Sequence, residues 1–228
     1  MYIYPCTKRN GIIISMTLAD PIDLAEQQHF VLTYVSWDFY EKLLDEIGNR
    51  STRVTFDNGE LEMMAPLPIH EMWKSRIVRL IERMTEELSI DMENLGSATF
   101  KRKDLAKGLE PDACFYIRNW EVPRGKRDLD LTVDPPPDLA IEIDITRRSV
   151  PRQPIYAALG VPELWRFDGK LLQVLELRRD KYVEVKNSLS CPFLPIRDFE
   201  SYVFRQDSER INNVIRDFRA WVRTLKVD

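Results

Sequence analysis

The sequence predicts an α/β fold in a single domain, on three observations. Residues Pro137 to Ile145 read Pro-Asp-Leu-Ala-Ile-Glu-Ile-Asp-Ile, with apolar side chains at the odd positions from Leu139 on and Asp138, Ala140, Glu142 and Asp144 at the even ones. That two-residue period is the mark of a strand with one greasy face and one acidic face. Ile69, Met72, Trp73, Ile77, Leu80, Ile81, Met84 and Leu88 recur at helical spacing, which predicts an amphipathic helix. Behind the acidic strand the signals run helix, strand, strand. With 228 residues, 44% of them hydrophobic, the chain suffices for one substantial core.

Taken in order, residues 1–30 show no clear period and are expected to form an N-terminal arm, leaving 31–228 as the domain. Ser36 caps a helix from Trp37 to Ile47, and Gly48 stops it. Arg53 to Phe56 and Glu60 to Met64 flank Asp57-Asn58-Gly59, a hairpin signal because Asn-Gly supplies the positive φ angles of a tight turn. Pro66 and Pro68 end that strand, and the long amphipathic helix follows. Asp91 to Asn94 and Ala98 to Arg102 are short strands, the second leading into the basic cluster Lys101 to Lys107. Gly108 to Ile117 predicts one further strand with Glu110, Asp112, Cys114 and Tyr116 on one face. Residues 118–137 are a charged, proline-rich surface loop. After the acidic strand, a short helix runs to Leu159 with Gly160 as its stop. Leu164 to Phe167 and Leu171 to Leu177 pair through an Asp168-Gly169 turn, and Tyr182 to Val185 follows. Pro192 to Phe204 supplies a loop and short helix, and Ser208 is expected to cap a last helix carrying Ile211, Val214, Phe218 and Val222.

Composition removes several function classes. The 33 basic and 37 acidic residues, net −4, exclude a bulk electrostatic clamp on nucleic acid and leave room for a local basic groove. Three dispersed cysteines without a CxxC argue against a disulfide framework or thiolate metal site, so the cytoplasm is the expected compartment. The apolar run Gly11 to Met16 is too short for a membrane span. Only His29 and His70 are available as imidazole ligands, which disfavours zinc. No GxSxG, GxxxxGK[ST] or GxGxxG is present.

The acidic strand poses the chemical question. Three carboxylates on one face of an apolar strand repel one another, so a bound cation, nearby arginines or a raised pKa must compensate them. Asp112, after Pro111, puts another acid on a core strand. His70 and Glu71 stand in the first turn of the long helix, where a carboxylate favours the helix dipole and a histidine serves as cap or site residue.

Gly59-Glu60-Leu61-Glu62-Met63, His70-Glu71, Pro111-Asp112, Pro137-Asp138-Leu139 with Glu142, and Tyr156 through Trp165 together resemble the Uma-two family of the PD-(D/E)XK nuclease superfamily. The resemblance spans about residues 30 to 200 and is most specific from Tyr156 to Trp165. It implies a restriction-endonuclease-like mixed β-sheet flanked by helices. It also implies Asp112 and Glu142 as ligands of Mg2+ or Mn2+, with the Ile143 carbonyl beside them, and DNA as substrate. Cutting both strands favours a symmetric homodimer. Where the superfamily carries lysine, two residues after Glu142, this chain has Asp144. Four residues before Tyr156, where the family commonly has lysine, stands Arg152, which binds phosphate bidentately and cannot act as a base near neutral pH. The base is then Asp144 or a cation-activated water. Arg147, Arg148 and Gln153 are secondary candidates. Two alternatives stay open: a nuclease-like fold without catalysis that binds nucleic acid or protein, and a structural pairing of Glu142 and Asp144 with Arg147, Arg148 or Arg152.

Overall fold

The computed structural model describes residues 13–15, 29–48, 52–145 and 149–226. Its elements in chain order are β1 (Ile13–Ser15), β2 (His29–Thr33), α1 (Trp37–Ile47), β3 (Arg53–Asp57), β4 (Glu60–Met64), α2 (Pro68–Leu88), β5 (Glu93–Asn94) and β6 (Phe100–Arg102). After a 3-10 turn at Lys103–Leu105 come β7 (Lys107–Leu109), β8 (Ala113–Tyr116), β9 (Leu139–Ile143), α3 (Gln153–Leu159), β10 (Glu163–Phe167), β11 (Leu172–Arg178), β12 (Lys181–Val185), α4 (Ile196–Arg205) and α5 (Ile211–Val222). The strands form two six-stranded sheets, ordered β1-β2-β4-β3-β7-β6 and β12-β11-β10-β9-β8-β5.

In the first sheet every pairing is antiparallel. Its hairpin turns at Asn58 and Gly59, both at positive φ (49° and 91°), the conformation that Asn-Gly supplies at least steric cost. Helix α1 covers the sheet: the Ser36 hydroxyl accepts the Phe39 N–H at 3.2 Å, and Gly48 closes the helix at φ 55°. Tyr40 stacks on Phe56 with ring centroids 4.9 Å apart, above Val54 and Leu61. Gly108 lies so close beneath Tyr40 that an added Cβ would collide with the phenol ring.

The second sheet is mixed. Strands β9 and β10 run parallel, joined by α3 in a crossover, and its other pairings are antiparallel. One face packs Leu139, Ile141, Ile143 and Phe167 against Trp73, Ile77, Ile81 and Met84 of α2, with α4 and α5 extending the layer through Phe199 and Phe218. The opposite face packs Cys114, Ala140 and Leu164 against Ile155, Tyr156 and Leu159 of α3. Phe100 and Leu109 of the first sheet join that second cluster, so α3 fills the junction between the sheets.

Two expectations change. Gly108 to Ile117 is two strands: β7 ends at Leu109 in the first sheet, and β8 starts at Ala113 in the second. Pro111 lacks the N–H a continuous ladder needs, and the chain changes sheets there. The expected mixed sheet flanked by helices is the second one, and an antiparallel first sheet stands beside it. Ser208 does not cap α5: its hydroxyl donates back to the Arg205 carbonyl at 3.5 Å, and Arg210 is the N-cap residue without a side-chain bond. Among the described residues no helix is long and apolar enough to cross a membrane.

Candidate active site

The acidic strand separates its carboxylates into three environments. Asp138, just before β9, serves a loop: it accepts N–H groups from Ile117 at 2.7 Å and Asn119 at 3.0 Å, and the Asn119 side-chain amide at 2.9 Å. Asp144, just after β9, meets Arg166 of β10, whose Nη2 lies 2.5 Å away. Parallel pairing sets Arg166 beside Glu142 in register, which brings its guanidinium to the end of β9.

Glu142 points from β9 toward α3. Tyr156 donates its hydroxyl to Glu142 Oε1, and Arg152 Nη2 lies 3.1 Å from the same oxygen. Arg152 Nη2 also donates to the Glu110 carbonyl. Asp112 arrives from the chain just before β8. Its N–H donates to the Ile141 carbonyl at 3.1 Å, and its Oδ2, in place of a backbone carbonyl, accepts the Ile143 N–H at 2.7 Å. The carboxylate is thus tethered one residue along the chain from Glu142. Glu62 of β4 completes the set from the first sheet, accepting the Ser149 N–H at 2.8 Å.

These groups are out of water: Arg152, Glu142, Asp112 and Glu62 are each at most 6% exposed. Burial is the largest single influence and opposes the charge on Arg152, but Glu142, Tyr156, Asp112 and Glu62 together outweigh it, so the guanidinium's pKa is raised and it stays protonated. Burial, then the Glu142 charge, pushes the Tyr156 hydroxyl well above its ordinary value and keeps it a donor. Burial likewise raises Glu110, against hydrogen bonds from Thr99 and Val54. Arg152 Nε and Nη1 have no hydrogen-bond partner among the described residues. Arg152 lines a cavity of about 740 Å³ together with Glu142, Asp144, Gln153 and Arg166. The chemical content is a buried carboxylate pair, a fixed cation with donors to spare, and a space beside them.

His70 is buried in the first turn of α2. Glu71 beside it pairs with Lys74 and, at 3.6 Å, with Arg53. Arg147 and Arg148 fall outside the described residues. The basic cluster is engaged in acid pairs: Lys101 with Glu41, Arg102 with Asp104, Lys103 with Asp38 and Lys107 with Asp57. Cys114 and Cys191 are free and buried, their thiols pushed up to about 12, so neither is a thiolate.

Sequence reasoning passed over Tyr156, Glu62, Glu110 and Arg166. Tyr156 and Glu62 stand inside the very segments that carry the family resemblance, which was the available signal. The rest of the Tyr156-to-Trp165 segment is structural. Gly160 ends α3 at φ 79°, and buried Glu163 accepts the Trp165 indole N–H at 2.8 Å and the Ser190 N–H at 2.7 Å.

The fold and site define a restriction-endonuclease-like α/β protein with a buried carboxylate, arginine and tyrosine cluster beside its mixed sheet. The family model Uma2, described as "Putative restriction endonuclease", matches residues 37–199, and the chain belongs to that family. Comparison with curated proteins finds no match. Among solved structures, the chain is similar to a protein from Anabaena variabilis ATCC 29413 described as "a putative nuclease belonging to DUF820". The identity is 16%, over 74% of this chain and 90% of that one, with a TM-score of 0.43.

Proposed function

We propose that the protein is a divalent-metal-dependent endonuclease that hydrolyses DNA phosphodiester bonds at the cavity beside Glu142. The observation that carries the reading is the convergence of Asp112, Glu142 and Arg152, from two neighbouring strands and α3, in a chain of a restriction-endonuclease family.

The donor set fits Mg2+ or Mn2+. Asp112 and Glu142 offer hard oxygen ligands, with the Ile143 carbonyl next in the chain. Among the described residues no three His, Cys, Asp or Glu side chains group closely enough to hold an ion. Two carboxylates completed by water and phosphate is the habit of Mg2+, which avoids all-protein cages. When bound, such a cation neutralises phosphate charge and makes water more acidic. The side chains do the rest. Tyr156 fixes the rotamer of Glu142 through its hydroxyl. Arg152 aims its remaining N–H groups at a phosphate in the cavity, where a planar guanidinium binds two oxygens at once. Asp144, at the cavity wall, accepts the proton from the attacking water, with Arg166 holding its orientation. Cutting both strands requires two such sites, so the proposal extends to a symmetric homodimer on duplex DNA in the cytoplasm.

The test is nicking of supercoiled plasmid. Wild-type protein should cut with Mg2+ or Mn2+ and not with a chelator, while Asp112→Asn and Glu142→Gln should each lose cutting and keep the wild-type circular dichroism spectrum. Undiminished cutting by either variant overturns the assignment.

A second reading has its own support. Asp144 stands where the superfamily has lysine, and Arg152 is already engaged by Glu142 and the Glu110 carbonyl. A nuclease-like fold that binds nucleic acid without cutting fits both facts. It predicts a metal-independent gel shift and no nicking under any divalent cation.

A further inference from the structure

A second cavity, of about 680 Å³, is lined in part by Glu110 and shares no lining residue with the one beside Glu142. Its floor is built from both sheets' connections. The Glu110 carboxylate accepts the Thr99 hydroxyl at 3.1 Å and the Val54 N–H at 3.3 Å, which ties β3 to the chain between β7 and β8. Arg53, next to Val54, lines the same cavity with its side chain only 10% exposed. Its Nε has no hydrogen-bond partner among the described residues. Its ion pair with Glu71 spans 3.6 Å, beyond hydrogen-bond length. A guanidinium kept out of water with a donor unmade is costly, and an anion in the cavity relieves that cost. Lys126, Arg127 and Asp128 of the 118–137 loop also line it, with Lys126 paired to Asp134 and Arg127 to Asp128, so Arg53 is the principal anchor. Leu95 and Leu129, both half-buried, add apolar surface to the lining.

We propose that this cavity binds one nucleotide unit, with its phosphate on Arg53 and its base against Leu95 and Leu129. The volume suits a ligand of that size, and a polar anchor together with apolar lining is the usual build of a small-ligand site. The unit comes either from free nucleotide or from a nucleotide of a DNA strand. The binding needs no metal and does not involve Glu142, so it stands apart from the cleavage reading.

Calorimetric titration with deoxyadenosine monophosphate in a chelator tests it. Wild-type protein binds one equivalent, about tenfold or more tighter than inorganic phosphate or deoxyadenosine alone. Arg53→Met weakens binding at least about tenfold, Arg53→Lys restores part of it, and Leu129→Trp, which fills the cavity from its loop, abolishes it. Circular dichroism confirms that each variant is folded. Displacement of the mononucleotide by a single-stranded oligonucleotide marks a strand nucleotide as the natural occupant, and failure to displace it marks the free nucleotide. Absence of saturable binding by the wild type, or wild-type affinity in folded Arg53→Met, overturns the proposal. Because every arm is read without metal or cutting, failure of the nuclease reading leaves this result untouched.

Discussion

Glu142 is the residue on which the proposed chemistry turns, and its surroundings set what substitutions do. Its hydrogen bond from Tyr156 is charge-assisted and buried. Tyr156→Phe should therefore cost about 1.5–3 kcal/mol in urea denaturation and, in a plasmid assay, lower the rate more than the affinity. Arg152 pairs with Glu142 at 3.1 Å with both side chains nearly dry. Removing the guanidinium leaves buried carboxylates facing one another, so Arg152→Met should destabilise the fold by about 3–5 kcal/mol, and Arg152→Lys by less. The sequence pointed to Glu142, Asp112 and Arg152 because a strand period and a spacing to Tyr156 are one-dimensional facts. It concealed the part played by Tyr156, whose hydroxyl reaches Glu142 only once α3 packs across the sheet. Glu62 was hidden for the same reason, since β4 belongs to the other sheet.

Elements carry the second group of consequences. Strand β7 passes beneath α1 at Gly108, and the Tyr40 ring occupies the space a side chain would need. Gly108→Ala should cost about 1–3 kcal/mol in thermal or urea unfolding through overpacking against that ring. Just beyond, Glu110 links β3 to the site, and burial raises its pKa above the ordinary 4.5. A carboxyl raised on folding contributes stability that is fully present below about 4.5 and lost as pH climbs through the folded-state value. Glu110→Gln, which does not titrate, should thus gain on the wild type between pH 4 and pH 7, and urea midpoints of the two proteins at those pH values check it. Equal midpoint differences at both values would contradict the account. Hairpin β3–β4, α2 and β9 were readable in the sequence because Asn58-Gly59 and the two periodicities act locally. The break between β7 and β8 was not readable, since the alternation from Glu110 to Tyr116 continues across Pro111 while the chain moves from one sheet to the other.

As a whole the molecule places a mixed sheet between two different covers, and the candidate site lies on the α3 face, at the junction of the two sheets. Helices α2, α4 and α5 seal one face with apolar side chains, and α3 seals the other while delivering Arg152 and Tyr156. The first sheet leans on that junction through Phe100 and Leu109 and contributes Glu62. Two separate cavities open on the molecule, one lined by Glu142 and Arg152 and one by Arg53 and Glu110. Under the proposed nuclease reading, the net charge of −4 leaves DNA to local cations such as Arg152 and Arg166, so binding should weaken only modestly with salt. The claim from which the rest follows is that Asp112 and Glu142 together grip one hard cation. Calorimetric titration of Mn2+ into wild-type protein and into the double variant Asp112→Asn/Glu142→Gln measures it directly. The account predicts one Mn2+ per wild-type chain and none in the folded variant; no binding to the wild type, or the same binding to both, would contradict it.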